Sequence, residues 1–145
     1  RLHLPPRAVV AKRQELLSYD CDGLTLERHI PPLAVLPETT KEMSAVLRCC
    51  HRHRVPFVAR GSGTGLSGGA LVDEPALMVI TSRMRRVLEL DLANQRVTVQ
   101  PGVINSWVPR AVAGGWYLLR SSQLQSGGLQ HRGECGKELR GCLLP

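Results

Sequence analysis

The most informative segment of this chain is Arg60-Gly61-Ser62-Gly63-Thr64-Gly65-Leu66-Ser67-Gly68-Gly69, in which five of ten residues are glycine. Glycine loses more backbone entropy on folding than alanine does, so a glycine-rich loop is useful where the backbone must approach a ligand closely. Successive N–H groups in a turn bind anionic oxygen, and three hydroxyl side chains here add further donors. We therefore interpret residues 60–69 as a phosphate- or pyrophosphate-binding loop. A plain flexible loop is the alternative.

Gly65 lies near the centre of this loop. We expect it to have a positive φ, which a β-branched residue disfavours, and to bring its backbone close to the anion. The substitution Gly65→Val is therefore expected to abolish binding.

Two widespread phosphate-binding motifs do not explain the loop. A P-loop, G-x-x-x-x-G-K-[ST], needs a lysine after its last glycine, but Gly68 is followed by Gly69. The G-x-G-x-x-G pattern of dinucleotide-binding βαβ units is present at residues 63–68. However, Asp73-Glu74-Pro75 interrupts the long helix that should follow it.

The residues around the loop predict a β-α-β unit. Apolar runs predict three strands, at Leu33–Leu36, Phe57–Ala59 and Leu77–Ile80. Thr39 to Glu42 has the pattern of a capping box at the start of a helix. The residues that follow on one helical face are Met43, Val46, Leu47 and Cys50. We expect the first two strands to be parallel and joined by a right-handed crossover.

The remaining pattern predicts four further features. Residues 5–17 have the spacing of a short helix, and Asp20-Cys21-Asp22-Gly23 predicts a turn. Residues 87–92 and 96–100 predict a β-hairpin, with three leucines on one strand face opposite two acids. These residues are Leu88, Leu90 and Leu92, and Glu89 and Asp91. Residues 106–114 predict a second amphipathic helix.

Three segments together resemble the PCMH-type FAD-binding domain of the vanillyl-alcohol-oxidase superfamily. They are Pro37-Glu38-Thr39-Thr40, the run from Pro56 through the glycine loop to Ala70, and Val97-Thr98-Val99-Gln100-Pro101-Gly102-Val103. Within the superfamily, the chain is most similar to the FAD-linked subunit of glycolate oxidase and its D-lactate dehydrogenase relatives. The resemblance extends from about Tyr19 to Tyr117, so the chain corresponds to the N-terminal part of such proteins.

The resemblance implies a fold and a binding site. The fold is α+β, with a small parallel β-α-β subdomain beside part of a mixed second sheet, and FAD lies between the two. The residues it assigns to FAD binding are Pro37, Arg60, Gly61, Ser62, Gly63, Thr64, Gly65, Leu66, Ser67, Gly68, Gly69, Pro101 and Gly102. It assigns no catalytic residue and no metal ligand to this chain. It divides the chain into a helical lead-in (1–32), an incomplete FAD-binding domain (33–117) and a divergent tail (118–145).

The resemblance also implies an activity. Such flavoproteins oxidise a 2-hydroxy acid, such as glycolate or D-lactate, to a 2-oxo acid by hydride transfer to FAD, and pass the electrons to a partner. Some relatives attach FAD covalently through a histidine in the glycine loop; Thr64 stands at about that point, so we expect non-covalent FAD. The chain alone is expected to be inactive. The alternatives are a stand-alone phosphate- or nucleotide-binding module and the peptidoglycan-precursor reductase that shares this fold.

The tail departs from the family pattern. Relatives continue with Pro-Asp-Pro-Ser-Ser and later an Ala-Glu-Asn-Ala-Gly segment, whereas this chain reads Leu118-Leu119-Arg120-Ser121-Ser122-Gln123. Suitable codons for residues 130–136, read one base later, encode Asn-Ile-Ala-Glu-Asn-Ala. Our hypothesis is that the reading frame changes between Trp116 and Arg120, and we expect residues 118–145 to be poorly ordered.

Composition excludes several classes of protein. Apolar residues make up 43% of the 145 residues, and no apolar run reaches the roughly 18 residues of a membrane-spanning helix. The net charge of +7 is scattered and lacks interleaved aromatic residues, so we expect no nucleic-acid partner. The five cysteines are an odd number without a CxxC pair, which argues against a disulfide framework or a zinc ribbon. We expect a cytoplasmic protein. Cys49-Cys50-His51-Arg52-His53 is the only candidate metal cluster in the sequence, and we favour a helix end without a metal.

Overall fold

The computed structural model describes residues 4–23, 25–72, 75–91, 93–94, 96–104 and 107–108, and the backbone of two strands in the tail. The chain divides into two compact units, Arg1–Arg83 and Met84–Pro145. This division falls inside the segment 33–117. The sequence-based boundaries at residues 33 and 118 stay predictions.

The first unit contains a four-stranded sheet and one long helix. Its elements in chain order are β1 (Val9–Val10), α1 (Arg13–Leu16), β2 (Leu33–Val35), α2 (Thr40–His53), β3 (Phe57–Arg60) and β4 (Leu77–Ile80). The strand order is β1-β2-β4-β3. β4 is parallel to both of its neighbours, and β1 is antiparallel to β2 at the edge.

The three predicted central strands are therefore present, but the two strands joined by α2 are not neighbours. β4 lies between β2 and β3, and Leu77 pairs with both Leu33 and Phe57. The glycine loop follows β3, so the chain returns through this loop toward β4 in the middle of the sheet. Right-handedness of the crossover stays a prediction.

Helix α2 begins as its sequence predicts. The Thr39 hydroxyl accepts a hydrogen bond from the Glu42 N–H at 3.2 Å, and the Glu42 carboxylate accepts from the Thr39 N–H at 3.3 Å. This reciprocal arrangement is a capping box. The buried face of the helix, Val46 and Cys50, packs with Val35 and Val79 of the sheet. A second cluster, which includes Ala34, Met78 and Ile80, forms the other core region of this unit.

The helix predicted over residues 5–17 is wrong. This segment forms a 3₁₀ turn (Pro6–Ala8), strand β1, the single-turn α1 and a second 3₁₀ turn (Leu17–Tyr19). Val9 and Val10 pair with Val35 and Ala34 at the sheet edge. β-Branched residues favour extended backbone, and the open edge of β2 offers hydrogen bonds that a short isolated helix does not have.

The second unit contains the predicted hairpin. β5 (Val87–Asp91) and β6 (Arg96–Val99) are antiparallel, and the Asp91 carboxylate accepts hydrogen bonds from both the N–H and the side-chain amide of Asn94. Leu88 and Leu90 are 59% and 39% exposed, so their shared face is not part of the described core. That core consists of Val97, Val103 and Val108.

Two findings concern the end of the chain. Leu118–Arg120 (β7) and Cys142–Leu144 (β8) form an antiparallel pair, which the sequence analysis did not predict. Most of the helix predicted over residues 106–114 lies outside the described residues. Within the described ranges, no helix combines the length and the apolar character needed to cross a membrane.

Candidate anion-binding loop

The glycine loop begins where β3 ends. Arg60 is the last residue of β3 and is only 6% exposed, whereas every loop residue from Gly61 to Gly69 is half-buried or exposed. The Arg60 carbonyl accepts the Thr81 N–H at 2.9 Å, which fixes the start of the loop against the end of β4. A buried strand therefore presents an accessible loop at its carboxyl end.

Positive φ occurs at two glycines of the loop, Gly63 (+74°) and Gly68 (+73°), and not at Gly65. The expectation that Gly65 has a positive φ is therefore wrong. The two left-handed residues lie on either side of it in the sequence.

A Cβ added to these glycines would meet very different surroundings. At Gly63 it would overlap the guanidinium of Arg60, with Nε at 2.8 Å. At Gly65, Gly68 and Gly69 it would contact nothing within 4 Å. These three positions therefore border open space that another molecule could fill.

The loop also presents a row of hydrogen-bond donors. Within the described part of the chain, the N–H groups of residues 63–67 donate to no protein acceptor. The hydroxyls of Ser62 and Thr64 lie 3.4 Å apart on the same stretch. No acidic side chain occurs from Gly61 to Gly69. Such an arrangement suits an anionic oxygen and disfavours a cation.

Arg60 is directed into the protein. Its Nη2 donates to the Cys21 carbonyl at 2.8 Å, and its Nη1 donates to the Ala70 carbonyl at 3.2 Å. Burial lowers the pKa of the Arg60 guanidinium, and the nearby Cys21, Asp22, Tyr19 and Asp20 act in the opposite direction. Arginine stays protonated in proteins, so the loop has a fixed positive charge beneath it. A direct contact of this side chain with a cofactor stays a prediction.

The segment that supports the loop, residues 20–23, carries no sequence signal for this role. The Asp22 carboxylate is buried and accepts the Gly68 N–H at 2.9 Å, and the Gly23 N–H donates to the Gly65 carbonyl at 2.9 Å. The sequence Asp20-Cys21-Asp22-Gly23 predicts only a turn. No local pattern indicates a partner more than forty residues away.

The other predicted site residues lie in two places. Pro37 is fully buried after β2, and the next residue, Glu38, forms ion pairs with Arg7 at 3.2 Å and Arg83 at 3.6 Å. Pro101 and Gly102 belong to the second unit, where the Gly102 N–H donates to the Met84 carbonyl at 2.8 Å. Contact of these three residues with a cofactor stays a prediction.

The described residues include no group of three or more side chains that could hold a metal ion. In the candidate sequence Cys49–His53, Cys50 is buried in the core, and this burial raises the pKa of its thiol. His51 and His53 are exposed on the last turn of α2.

A family model described as an FAD binding domain matches residues 31–131. The glycolate oxidase subunit GlcD of Escherichia coli K12 is 42% identical over 113 residues, which are 78% of this chain and 23% of that protein. GlcD of Bacillus subtilis is 42% identical over 96 residues, 66% of this chain and 20% of that protein. The probable mitochondrial D-lactate dehydrogenase of Danio rerio is 36% identical over 73 residues, 50% of this chain and 15% of that protein. The chain thus spans less than a quarter of the length of these relatives.

Two solved structures share the fold. The superposition with an alkyldihydroxyacetonephosphate synthase has a TM-score of 0.72 at 16% identity. It covers 81% of this chain and 24% of the synthase chain. The superposition with a p-cresol methylhydroxylase with bound substrate has a TM-score of 0.65 at 20% identity. It covers 74% of this chain and 22% of the hydroxylase chain. At these identities the likeness concerns the fold alone.

Proposed function

Because the chain belongs to the FAD binding domain family and has the predicted α+β, PCMH-type fold, we propose that residues 60–69 hold the pyrophosphate of FAD. The main support for this proposal is that the N–H groups of residues 63–67 have no acceptor among the described residues. The open space next to Gly65 and Gly69 gives a dinucleotide room to approach them.

The residues present fit such a group. A pyrophosphate is an extended dianion, and the loop offers backbone N–H groups, the hydroxyls of Ser62, Thr64 and Ser67, and no carboxylate. The guanidinium of the buried Arg60 lies on the inner side of the loop and leaves the open side free for the ligand. When bound, FAD supplies a hydride acceptor. The residues of this chain bind and orient it.

We propose that FAD is held non-covalently. The glycine loop contains neither histidine nor cysteine, and Thr64 lies at about the position of the histidine that attaches FAD in some relatives. The Thr64 hydroxyl lies 3.4 Å from that of Ser62 and can donate to an anion. Denaturation and filtration should release all of the flavin into the filtrate.

We propose that this FAD-binding segment serves a 2-hydroxy-acid oxidoreductase of the glycolate or D-lactate type. The support is the identity to glycolate oxidase subunits and to a D-lactate dehydrogenase. In that reaction the carbon bearing the hydroxyl loses a hydride, the hydroxyl loses a proton, and a 2-oxo acid forms. An electron-accepting partner subunit and a cytoplasmic location belong to the same proposal.

Titration of the wild-type chain and of Gly65→Val with FAD tests the loop. Gly65 has open space around its Cα and no positive φ, so valine should leave folding intact while its side chain fills the approach to the N–H row. We expect at least a tenfold loss of affinity for FAD and for ADP, with little change in the unfolding midpoint.

Ala11→Val is the control, because it places the same valine side chain at an exposed position of the N-terminal segment. It should bind FAD as the wild type does. Equal FAD affinity of Gly65→Val and the wild type would remove the loop from the site. Tight binding of ADP without binding of FAD would instead indicate a stand-alone nucleotide-binding module.

A further inference from the structure

We propose that Asp22 is a positioning residue of the FAD site: its buried carboxylate holds the Gly68 N–H and so fixes the glycine loop in the conformation that presents its other N–H groups. This inference rests on the proposed function. It assigns a role to a segment that the sequence marks only as a turn.

The first observation is the hydrogen bond itself. Asp22 is 5% exposed, and its Oδ2 accepts the Gly68 N–H at 2.9 Å. Gly68 has a φ of +73°, and this hydrogen bond holds its N–H on the Asp22 side. The Gly68 N–H is therefore an anchor of the loop and is not part of the donor row at residues 63–67.

The neighbouring residue provides a second connection. The Gly23 N–H donates to the Gly65 carbonyl at 2.9 Å. A Cβ on Gly23 would lie 2.9 Å from the Thr64 carbonyl oxygen and 3.1 Å from that of Gly65. Because the Gly65 carbonyl accepts the Gly23 N–H and the Thr64 carbonyl lies 2.9 Å from the position that a Gly23 Cβ would take, the backbone from Thr64 to Gly65 has one face against residue 23. Its N–H groups are left for the opposite face.

Arg60 completes the connection. Its guanidinium binds the Cys21 carbonyl on one side and the Ala70 carbonyl on the other. Residues 21–23, which we call the clamp segment, thus contact the start, the middle and the end of the loop. The Arg60 charge also compensates for the buried Asp22 carboxylate, which would otherwise be costly to remove from water.

The consequence for binding is entropic. Five glycines in ten residues make the loop flexible in isolation, and a ligand that must order such a loop binds more weakly than one that meets it already ordered. Without the Asp22 carboxylate, the turn at Gly68 loses its acceptor. FAD and ADP should then lose affinity by the same factor, because both carry the pyrophosphate.

The experiment compares Asp22→Ala, Asp22→Asn and the matched control Asp20→Asn. Asp20 is a buried acid of the same turn, but its carboxylate pairs with Arg28 at 3.2 Å. We expect Asp22→Ala to weaken FAD and ADP at least tenfold at a temperature where it is fully folded, with faster hydrogen exchange confined to residues 61–70. Asp22→Asn retains an acceptor for the Gly68 N–H and should restore most of the affinity. Asp20→Asn should bind as the wild type does.

If Asp22 only stabilised the fold, Asp22→Ala would lower the unfolding midpoint. The FAD affinity and the hydrogen exchange of residues 61–70 would then stay at their wild-type values, and this result would overturn the inference. An equal loss of affinity in Asp22→Asn and Asp22→Ala would also overturn it, because it would indicate a direct contact of the carboxylate with the ligand.

If Asp22→Ala does not fold, Gly23→Ala serves instead, since its methyl group must displace the Thr64 carbonyl. Gly23→Ala should reproduce the tenfold loss of affinity. Unchanged affinity would contradict the role of the clamp segment. Absence of FAD binding by the wild-type chain would overturn the proposed function. In that case the hydrogen exchange of residues 61–70 in the variants still decides whether residues 21–23 hold the loop.

Discussion

Individual glycines of the loop have separate roles, which depend on φ and on what a side chain would contact. Gly63 combines a positive φ with direct packing against the Arg60 guanidinium. Gly65 and Gly69 have neither constraint and border open space. Gly68 has a positive φ, and a Cβ added there would contact nothing within 4 Å. Its N–H donates to the Asp22 carboxylate. The same residue type therefore serves folding at position 63 and access at positions 65 and 69.

The substitution Gly63→Ala should destabilise the fold. An alanine in the left-handed region costs about 1–3 kcal/mol, and its Cβ would also displace the guanidinium that binds the Cys21 and Ala70 carbonyls. We expect the free energy of unfolding, measured in urea, to fall by about 2 kcal/mol or more. Gly69→Ala is the control and should change it by no more than about 0.5 kcal/mol. Equal values for the two variants would contradict this account of Gly63.

Among the elements, helix α2 has an N-terminus that is determined by residues adjacent in the sequence. Thr39 and Glu42 satisfy each other's backbone N–H groups, and Glu42 also accepts the Glu38 N–H at 2.7 Å. The residues that form this start are consecutive in sequence, so their pattern was sufficient to predict it.

Thr39→Ala should therefore lower the free energy of unfolding by about 1 kcal/mol, the usual effect of losing an N-cap side chain. Thr40→Ala is the matched control, because Thr40 is exposed at the first helical position and caps nothing. It should be neutral or slightly stabilising, since alanine favours helix. Chemical denaturation of the two variants measures the difference. A loss in Thr40→Ala as large as that in Thr39→Ala would contradict the role of the cap.

How far the sequence predicts the structure depends on how far apart the interacting residues are. Strands β2, β3 and β4, helix α2 and the hairpin follow from local patterns and are confirmed. The helix predicted at residues 5–17 is wrong, because pairing of Val9 and Val10 with β2 depends on a segment about 25 residues away. The contact between Asp22 and Gly68 was missed for the same reason. The position of β4 between β2 and β3 is likewise a property of the sheet and not of any one segment.

At the level of the whole chain, the glycine loop and the described residues that hold it belong to one compact unit. The sheet, α2, Arg60 and residues 21–23 all lie within Arg1–Arg83. Pro101 and Gly102 belong to Met84–Pro145. The family match continues to residue 131, whereas the resemblance found in the sequence ends at Tyr117. A frame change between Trp116 and Arg120 stays a hypothesis, which sequencing of the gene at the Leu118 codon tests.

A chain of these 145 residues should bind flavin without oxidising a 2-hydroxy acid. Oxidation needs a base beside the hydroxyl, a cation that holds the carboxylate, and a site from which water is excluded. Relatives are expected to supply these from parts beyond the FAD-binding segment, and this chain spans at most 23% of the relatives' length. Among the described histidines, His29 lies 3.8 Å from the Glu27 carboxylate, and His51 and His53 are exposed at the end of α2.

The measurement is the anaerobic absorbance of the bound flavin after addition of glycolate or D-lactate. We expect no bleaching. Without a base to take the hydroxyl proton and a site that binds the substrate carboxylate, the 2-hydroxy acid cannot transfer its hydride to the flavin. Dithionite should bleach the same sample and shows that the flavin can be reduced. Bleaching by either acid at an enzymatic rate would contradict the prediction, and would place the base and the carboxylate site within these 145 residues.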